Sequence, residues 1–492
     1  MSLNSKSSIL LVKLPPWEVN FPPLGVAYLS AYLERHDMEV KVLDLNLEIY
    51  KNISPEIRDA WKNNDYFYWQ TDKMRGEFEN MISWIVDRIL SFETKVVGFS
   101  MTISSCNLFK DIIVKLKNAS PEKIVVVGGP FTAWKEFRGS LGINKNFVEY
   151  FVIGEGEVAL HQILRHINRN GEHADIKLPE GFLVWKDDPS DYTVCVQGPA
   201  ILKLDEIPFP TYNGFDIDSY DRRFISILGS RGCVRRCSFC NDTVMWGKPF
   251  RLRSPENIVE EMKYCVNKYK TEVFKFCDLM LNGSIDFITR LSELLIKEDL
   301  RVYGPGSYPR VVWHGQVAVR KDMDFSLFKK MMESGFTVAS VGVESFSNKV
   351  LRLMNKGYVA DEAVQFLRYH KEAGIEVQIN TIVGFPGETE DDLKETMDYI
   401  KKASPYIDYV ASISTCGVGP GSDLYTDPEK FNIDIKDHFY WYTKDGKNDI
   451  YIRMQRYKRL LDFLKKENIR ILGVSELDSM EQLLKERGGK GK

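Results

Sequence analysis

Short apolar runs alternate with stretches of helical periodicity along the first 170 residues. The strand-like runs are residues 9–14, 40–43, 96–99, 124–127 and 150–153, and helical stretches lie at 26–33, 78–92, 108–116 and 158–167. This alternation predicts an α/β fold in which residues 1–170 form a doubly wound, Rossmann-like parallel sheet. Ligands of such sheets bind at the carboxyl ends of the strands.

The second half of the chain repeats the alternation. Strand-like runs occur at 224–228, 273–277, 311–319, 338–343, 377–383 and 409–413, with helical stretches at 255–269, 285–296, 327–334, 361–373 and 391–403. Six strand–helix units are fewer than the eight of a closed barrel, so residues 223–425 are predicted to form a partial (β/α)6 barrel.

Two further segments complete the predicted organisation. Residues 171–222 read as a hairpin followed by a proline-punctuated linker. Residues 426–492 are predicted to form a small, mostly helical region that caps the substrate. Within it, the charges of the aromatic and basic segment 436–470 are interpreted as a solvated helix face.

Composition narrows the class of protein. The 492 residues are 44% hydrophobic with a formal net charge of −3, which gives no basic field for nucleic acid. No apolar run reaches the roughly 18 residues that a membrane span needs, and the N-terminal apolar run is too short for a signal peptide. We therefore expect a cytoplasmic protein without disulfides.

Three of the eight cysteines fall in the stretch RGCVRRCSFCND, directly after the first predicted barrel strand. Cys233, Cys237 and Cys240 have the spacing CxxxCxxC, and neither a fourth cysteine nor any of the seven histidines lies near them in sequence. A structural zinc needs four ligands. Three thiolates instead suit a 4Fe–4S cluster with one open iron, although chance clustering or a distant fourth ligand remain alternatives.

The cysteine motif, with Phe239 before its last cysteine, resembles that of the radical S-adenosylmethionine (SAM) enzymes. KPFRLRSPENIVEEM, VGVESFSNKVLRLMNKG and INTIVGFPGETEDDLKET resemble later segments of that superfamily. PPLGVAYLSAYLERHDMEVKVLDLN, VGFSMTISS, VVVGGP and YFVIGEGE resemble the N-terminal cobalamin-binding domain of one of its branches. The resemblance covers nearly the whole chain up to its C-terminal region.

This resemblance implies three cofactors: a 4Fe–4S cluster held by the three cysteines, SAM and cobalamin. Phe239 would pack near the SAM adenine, with plain core packing as the alternative. Glu344, at the end of a predicted strand, would bind the SAM ribose or ammonium. Gln378 and Asn380 share one strand face and would face SAM as ligand, unless they form a buried hydrogen-bonded pair. Asp278 would lie near the SAM amino end, although this chain lacks the common GGE form there.

The predicted cobalamin site lies in the loops of the first domain. No histidine has an aspartate two residues before it, so the DxHxxG motif is absent and the resemblance implies cobalamin without a protein histidine on cobalt. The candidate contacts are Pro23, Leu24, Gly25, Thr102, Ser104, Gly128, Gly129, Pro130, Gly154, Glu155 and Glu157.

The leading hypothesis is a cobalamin-dependent radical SAM methyltransferase. It would act on an unactivated carbon of a peptide, protein side chain or small molecule, with electrons from an external donor such as flavodoxin or ferredoxin. Ring formation or rearrangement without methyl transfer is one alternative, and an iron–sulfur electron-transfer or sensor protein is a non-enzyme alternative. RNA methylthiolation is disfavoured because the N-terminal half has only Cys106 and Cys195.

No catalytic residue is assigned from the sequence. Cys416 is the one candidate, because it ends the last predicted barrel strand on the face where the cluster would open. It would act as a distal thiol or iron ligand, with a buried small residue as the alternative.

Overall fold

The chain divides into two compact units. The structure, a computed structural model, describes residues 8–63, 67–141, 147–170, 176–188, 193–220, 224–247, 249–304, 306, 310–472 and 477–488. Unit 1 comprises Met1–Arg222, Met245–Gly247 and Asp478–Lys492, and unit 2 comprises Arg223–Val244 and Lys248–Leu477. Among the described helices, none combines the length and the apolar composition that crossing a bilayer would require.

Unit 1 is built on one sheet flanked by helices. Its strands are β1 (Ser8–Lys13), β2 (Glu39–Asp44), β3 (Val96–Ser100), β4 (Ile124–Gly128), β5 (Tyr150–Ile153), β6 (Leu183–Trp185) and β7 (Val194–Gln197). Its helices are α1 (Leu24–Arg35), α2 (Leu45–Asn52), α3 (Pro55–Asn63), α4 (Asp72–Glu79), α5 (Ile82–Leu90), α6 (Cys106–Ala119), α7 (Lys135–Ser140) and α8 (Gly156–Asn170).

The strand order of this sheet is β2-β1-β3-β4-β5-β7-β6, and every pair is parallel except β6 with β7. The predicted Rossmann-like sheet is thus confirmed. β6 and β7 are the hairpin expected within 171–222; they extend the sheet of unit 1, and the chain between them at 189–192 lies outside the described residues. The helix predicted over 78–92 is instead two helices, α4 and α5, separated at Asn80 and Met81.

Unit 2 contains the second set of elements. Its strands are β8 (Phe224–Ile227), β9 (Ser230–Arg231), β10 (Arg251–Leu252), β11 (Val273–Phe276), β12 (Val312–Val317), β13 (Phe336–Glu344), β14 (Glu376–Val383), β15 (Tyr409–Thr415), β16 (Ile433–Ile435) and β17 (Trp441–Thr443). The remaining helices are α9 (Asp242–Trp246), α10 (Pro255–Tyr269), α11 (Ile285–Glu298), α12 (Phe325–Glu333), α13 (Asn348–Leu353), α14 (Ala360–Glu372), α15 (Glu390–Ala403), α16 (Asp423–Thr426), α17 (Ile450–Lys466) and α18 (Leu477–Gly488). Of these, α18 belongs to unit 1 from Asp478 onward, and the last two residues of α9 also belong to unit 1.

Six parallel strands in the order β8-β11-β12-β13-β14-β15 form the main sheet of unit 2. β8 and β15 are its two edges, so the predicted open six-stranded barrel is confirmed. Burial alternates along β12: Trp313 is fully buried against Phe336, whereas His314 and Gln316 point to the opposite, partly exposed face. We call that opposite face the inner face of the sheet.

Local sequence signals explain where helix α10 begins. The Ser254 hydroxyl accepts the Asn257 N–H at 3.1 Å and Pro255 occupies the first helical position, so α10 begins where its predicted N-cap lies. The C-terminal region holds the expected helices together with a two-stranded ribbon, β16 and β17. α17 packs against β15, β14 and α15.

Candidate active site

The cysteine loop, residues 233–240, joins β9 to α9 in unit 2. Its backbone is fixed by the segment that follows α13: the Ser238 N–H donates to the Met354 carbonyl at 3.0 Å, and the Asn355 side-chain amide donates to the Arg236 carbonyl at 2.7 Å. The Ser238 hydroxyl donates to the Leu353 carbonyl at 2.8 Å. The MNKG stretch therefore acts as a support for the three cysteines.

Arg235 ties the same loop to a second element. Its guanidinium donates to the Lys356 and Val319 carbonyls, each at 3.0 Å, so one side chain links the loop to the ends of two neighbouring strand–helix units. The Arg235 N–H points to the Cys233 sulfur at 3.4 Å. One of the two arginines inside the cysteine motif thus has a positioning role.

The three thiols are free and partly exposed. Burial raises the pKa of the Cys237 thiol, and raises that of Cys240 to about 12. In the described part of the chain, no three His, Cys, Asp or Glu side chains converge as ligands of a single metal ion would. Three thiols on one anchored loop are the donor set that an iron–sulfur cluster takes, and iron would bind them as thiolates with release of their protons.

Glu344 lies at the end of β13 in a strained conformation. Its φ is +69°, unusual for a residue with a side chain, and the pairing of β13 with β14 shifts register between Gly342 and Glu344. Burial raises the pKa of its carboxyl group, and the Lys356 ammonium, 3.5 Å from Oε1, counteracts that rise. Lys356 also donates to the Gly342 carbonyl at 2.8 Å.

Lys356 was not predicted, yet it is the centre of this arrangement. Its side chain is 8% exposed, and its Nζ lies 5.7 Å from the centroid of the Phe239 ring. It therefore joins the cysteine loop, through Phe239, to the carboxylate of Glu344. The signal was available in the quoted VGVESFSNKVLRLMNKG stretch, where the lysine directly precedes Gly357, a residue with φ of +73°.

Cys416 belongs to an apolar cluster against which Phe239 packs. The cluster consists of Val350, Met354, Phe385, Cys416, Val418, Leu424, Ile433 and Trp441, and Phe239 packs against its edge. Cys416 is 1% exposed, and burial raises its thiol pKa to about 12. The structure thus has Cys416 in the buried arrangement, the alternative to a reactive thiol.

Asp278 stabilises the segment that leads into the cysteine loop. Its carboxylate accepts the Gly229 N–H at 2.9 Å and the Ser230 hydroxyl at 2.5 Å, and the side chain is buried. Burial raises its pKa to about 6. Both carboxylate oxygens accept hydrogen bonds from that segment. A direct contact between Asp278 and SAM stays a prediction.

Gln378 and Asn380 share the inner face, as predicted. Asn380 donates to the Ser340 hydroxyl at 3.4 Å and accepts from the Ser412 hydroxyl at 2.9 Å, which makes a polar row across β13, β14 and β15. Gln378 donates to Glu376 at 3.0 Å. The pair is partly exposed and faces the interior of the open barrel.

Three more polar residues of this face were missed. Lys275 pairs in register with His314, and Gln316 follows His314 on the same face. Burial lowers the pKa of His314 to about 4, so its imidazole is neutral at pH 7. The alternation in VWHGQV could have predicted His314 and Gln316 as inward-facing. The inner face is therefore lined by hydroxyls, amides, a neutral imidazole, the Lys275 ammonium and the Glu376 carboxylate.

The predicted cobalamin loops follow neighbouring strands of unit 1 and share one edge of its sheet. Gly129 has φ of +128°, and a Cβ there would collide with the Met101 carbonyl after β3. Gly128 ends β4, and Gly154, with φ of +72°, follows β5. Thr102 and Ser104 begin a short turn after β3, in which the Thr102 and Ser105 hydroxyls are 2.9 Å apart.

The other residues of the predicted cobalamin site differ in their exposure and in their hydrogen bonding. Pro23 caps α1, Leu24 is buried, and Gly25 is exposed with open space beside its Cα. Pro130 begins the turn after Gly129. Glu155 accepts the Ile201 N–H at 3.3 Å, and Glu157, in the first turn of α8, is buried near Tyr32.

Buried donors lie at the carboxyl ends of the paired strands β1 and β2. The Asn46 Oδ1 accepts the Trp17 N–H at 2.9 Å and the Trp61 indole N–H at 2.7 Å. Within the described residues, the Asn46 Nδ2 and the Trp17 Nε1 are buried without a hydrogen-bond partner. The buried Lys13, whose pKa falls to about 8 through desolvation, lies 4.3 Å from the Trp17 ring centroid. Such donors suit a large ligand rich in amide and phosphate oxygens, as cobalamin is.

α17 fixes the turn after β14 with a buried arginine. The charges of α17 form a solvated face as predicted at Lys458, Arg459, Asp462, Lys465 and Lys466, and the exceptions are the buried Arg453 and Arg456. Arg453 is fully buried, donates to the Trp441 and Phe439 carbonyls at 3.1 and 2.7 Å, and stacks on the Trp441 ring. Gly384 has φ of +75°, and a Cβ there would lie 2.7 Å from Arg453 Cδ. Sequence periodicity does not tell a buried arginine from a solvated one.

Comparisons with known proteins agree with this architecture. Residues 227–400 match the family model of the radical SAM superfamily, so unit 2 carries a radical SAM domain. The chain is 26% identical over 432 residues to an uncharacterized methyltransferase of Pyrococcus horikoshii, covering 85% of this chain and 82% of that protein. It is 24% identical to the cytidylyl-2-hydroxyethylphosphonate methyltransferase of Streptomyces wedmorensis, over 77% of this chain and 73% of the relative.

Two solved structures have the same fold over most of the chain. The radical SAM methyltransferase TsrM of Kitasatospora setae, solved with cobalamin and a [4Fe-4S] cluster, matches with a TM-score of 0.66 at 15% identity, covering 99% of this chain and all of that chain. The cobalamin-dependent radical enzyme OxsB matches with a TM-score of 0.61 at 15% identity, covering 94% of this chain and 62% of that chain. The predicted resemblance to cobalamin-dependent radical SAM enzymes is confirmed.

Proposed function

We propose that this chain is a cobalamin-dependent radical SAM methyltransferase that methylates an unactivated carbon. The observation that carries the proposal is the anchored three-cysteine loop beside the buried Lys356–Glu344 pair, at the carboxyl end of an open parallel sheet. Two relatives that match most of the chain are named methyltransferases. TsrM structures hold cobalamin, a [4Fe-4S] cluster, a SAM analogue and the substrate tryptophan.

The residues of unit 2 would hold the cofactors in fixed geometry. Cys233, Cys237 and Cys240 would each bind one iron as thiolate, and Glu344 would accept hydrogen bonds from the SAM ribose or ammonium. Phe239 would pack beside the adenine. When bound, the cluster and SAM supply a 5′-deoxyadenosyl radical that takes a hydrogen atom from the substrate carbon, and cobalamin supplies the methyl group.

The inner face would bind the substrate. Its hydroxyls, amides and neutral imidazole, together with the Lys275 ammonium and the Glu376 carboxylate, are suited to hydrogen bonding with the polar groups of a peptide or small polar molecule. Ser340, Asn380 and Ser412 already form one row of such groups. A substrate held on this row would be oriented toward the carboxyl end of the strands, where the cysteine loop lies.

The test is the stoichiometry of the SAM by-products. Methyl transfer through cobalamin consumes one SAM as S-adenosylhomocysteine and a second as 5′-deoxyadenosine, so both should form in amounts equal to the methylated product. The methyl group should carry label from SAM. If 5′-deoxyadenosine matches product while no S-adenosylhomocysteine forms, ring formation or rearrangement replaces this proposal. S-adenosylhomocysteine alone would mean polar methylation without a radical.

A further inference from the structure

The cysteine loop and the end of α13 present an exposed patch of two aliphatic and two arginine side chains. We call Val234, Arg236, Arg352 and Leu353 the cysteine-loop patch. Val234 is 46% exposed and Leu353 is 37% exposed, which is unusual for aliphatic side chains, and both arginines are exposed as well. Val234 and Arg236 lie between Cys233 and Cys237, so half of the patch belongs to the same loop as the residues proposed to bind iron.

The four residues form one continuous surface. The Asn355 amide bonded to the Arg236 carbonyl and the Ser238 hydroxyl bonded to the Leu353 carbonyl hold the loop against the end of α13. Val234 and Arg236 come from one side of this junction, and Arg352 and Leu353 come from the other. Because both sides are anchored by hydrogen bonds, the patch is a fixed surface and not two independent loops.

The patch carries positive charge that the chain itself does not neutralise. In the part of the chain that the structure describes, neither Arg236 nor Arg352 has a carboxylate within ion-pair distance. Of the acidic groups near the loop, Asp322 pairs with Arg320 at 2.5 Å and Glu344 lies beside Lys356. Asp242 lies 3.9 Å from the Cys240 sulfur. The whole chain has a net charge of −3, so this cationic surface is local.

We propose that the cysteine-loop patch is the docking surface for an acidic one-electron carrier protein of the flavodoxin type. This inference rests on the proposed function, because a cluster held by the three cysteines needs one electron from outside. The reduced flavin would lose one electron and the cluster would gain it, with no atom transferred. Two unpaired arginines complement an acidic surface, and the two exposed aliphatic residues supply a small apolar contact between them.

The experiment compares two ways of supplying the electron. In R236E/R352E both charges are reversed, and K297E is the matched control because Lys297 is an exposed cation on α11, which contributes nothing to the patch. Binding of an acidic flavodoxin is measured by biolayer interferometry at low and high salt. Formation of 5′-deoxyadenosine is measured with reduced flavodoxin and, separately, with dithionite.

We expect R236E/R352E to bind flavodoxin about tenfold more weakly at low salt, with a smaller difference at high salt because screening removes the attraction. Flavodoxin-driven cleavage should fall by a similar factor while dithionite-driven cleavage and iron content match the wild type. K297E should behave as the wild type in every assay.

Three outcomes would overturn the docking proposal. Unchanged flavodoxin affinity and flavodoxin-driven cleavage would show that the donor binds elsewhere. An equal fall in dithionite-driven cleavage would show that the arginines act on the cluster. Loss of self-association in the variant, measured by sedimentation, would assign the patch to a second copy of the chain. Failure of the proposed function itself is distinct, since the wild type would then lack iron and cleave no SAM with dithionite.

Discussion

Replacement of Glu344 by glutamine tests the most unusual residue of the site. The change keeps the shape of the side chain and removes its charge. A charged hydrogen bond contributes about 1.5–3 kcal/mol, but Lys356, 3.5 Å from the carboxylate, already compensates part of the charge. We therefore expect E344Q to lose roughly 2 kcal/mol of SAM binding, which is about a thirtyfold weaker affinity.

Glu376 supplies the matched control for this experiment. It is the first residue of β14 and accepts a hydrogen bond from Gln378 on the same inner face. Glu344 aligns with Thr381, five residues further along β14, so the two carboxylates are separated by about 17 Å along the strand direction. E376Q should leave SAM affinity unchanged.

The measurement is isothermal titration of SAM into anaerobic, iron-loaded protein, with iron and sulfide counted for each variant. Iron content should be the same in the wild type, E344Q and E376Q, because neither carboxylate contributes to the cysteine loop. Equal SAM affinity in E344Q and the wild type would refute the assignment of Glu344 to SAM. A loss of iron in E344Q would instead make Glu344 a support of the cluster.

Three further predictions concern the cluster, cobalamin and pH. Replacing Cys233, Cys237 and Cys240 together by alanine should abolish the roughly four irons expected per chain; retained iron would contradict the cluster assignment. Bound cob(II)alamin should show no nitrogen hyperfine splitting from a protein imidazole in electron paramagnetic resonance, and such splitting would contradict the inference from the missing DxHxxG. Burial lowers the pKa of His370 from 6.5 to about 4. Between pH 6.5 and pH 4 the imidazole is therefore protonated in the unfolded chain and neutral in the folded chain, so the free energy of unfolding falls as pH falls. That contribution reaches about 3 kcal/mol at pH 4, and H370L should remove this part of the urea-unfolding difference between pH 7 and pH 4; an unchanged difference would argue against a neutral buried imidazole.

The fold was predictable because parallel strands that are buried on both faces have distinctive sequences. The strand 150–153 and the helix 255–269 were predicted with the same bounds that the structure has, since the first is a short uninterrupted apolar run and the second a capped, periodic helix. The hairpin β6–β7 was found as a hairpin, but its position at the edge of the first sheet depends on contacts far apart in sequence.

The candidate site divides in the same way. The cysteine motif and Glu344 could be predicted because their chemistry is local in sequence. Arg453 could not, because Gly384, which it packs against, is 69 residues away and nothing in its own neighbourhood marks it as buried. For Lys356 the stretch before Gly357 gave a signal, but its proximity to Phe239, 117 residues away, did not follow from the sequence. Asp278 shows a further limit of local inference: its place after a strand was predicted, but the hydrogen bonds to Gly229 and Ser230 depend on the adjacent strand.

Arg453 gives the C-terminal region a mechanical connection to the barrel. The same guanidinium holds the ribbon carbonyls of Phe439 and Trp441, and its aliphatic part fills the space above Gly384. A displacement of the ribbon must either break two buried hydrogen bonds or move Arg453 against a turn that has no room for it. A movement of the ribbon is therefore coupled to the turn at residues 384–387, and one side chain connects the C-terminal region to the end of β14.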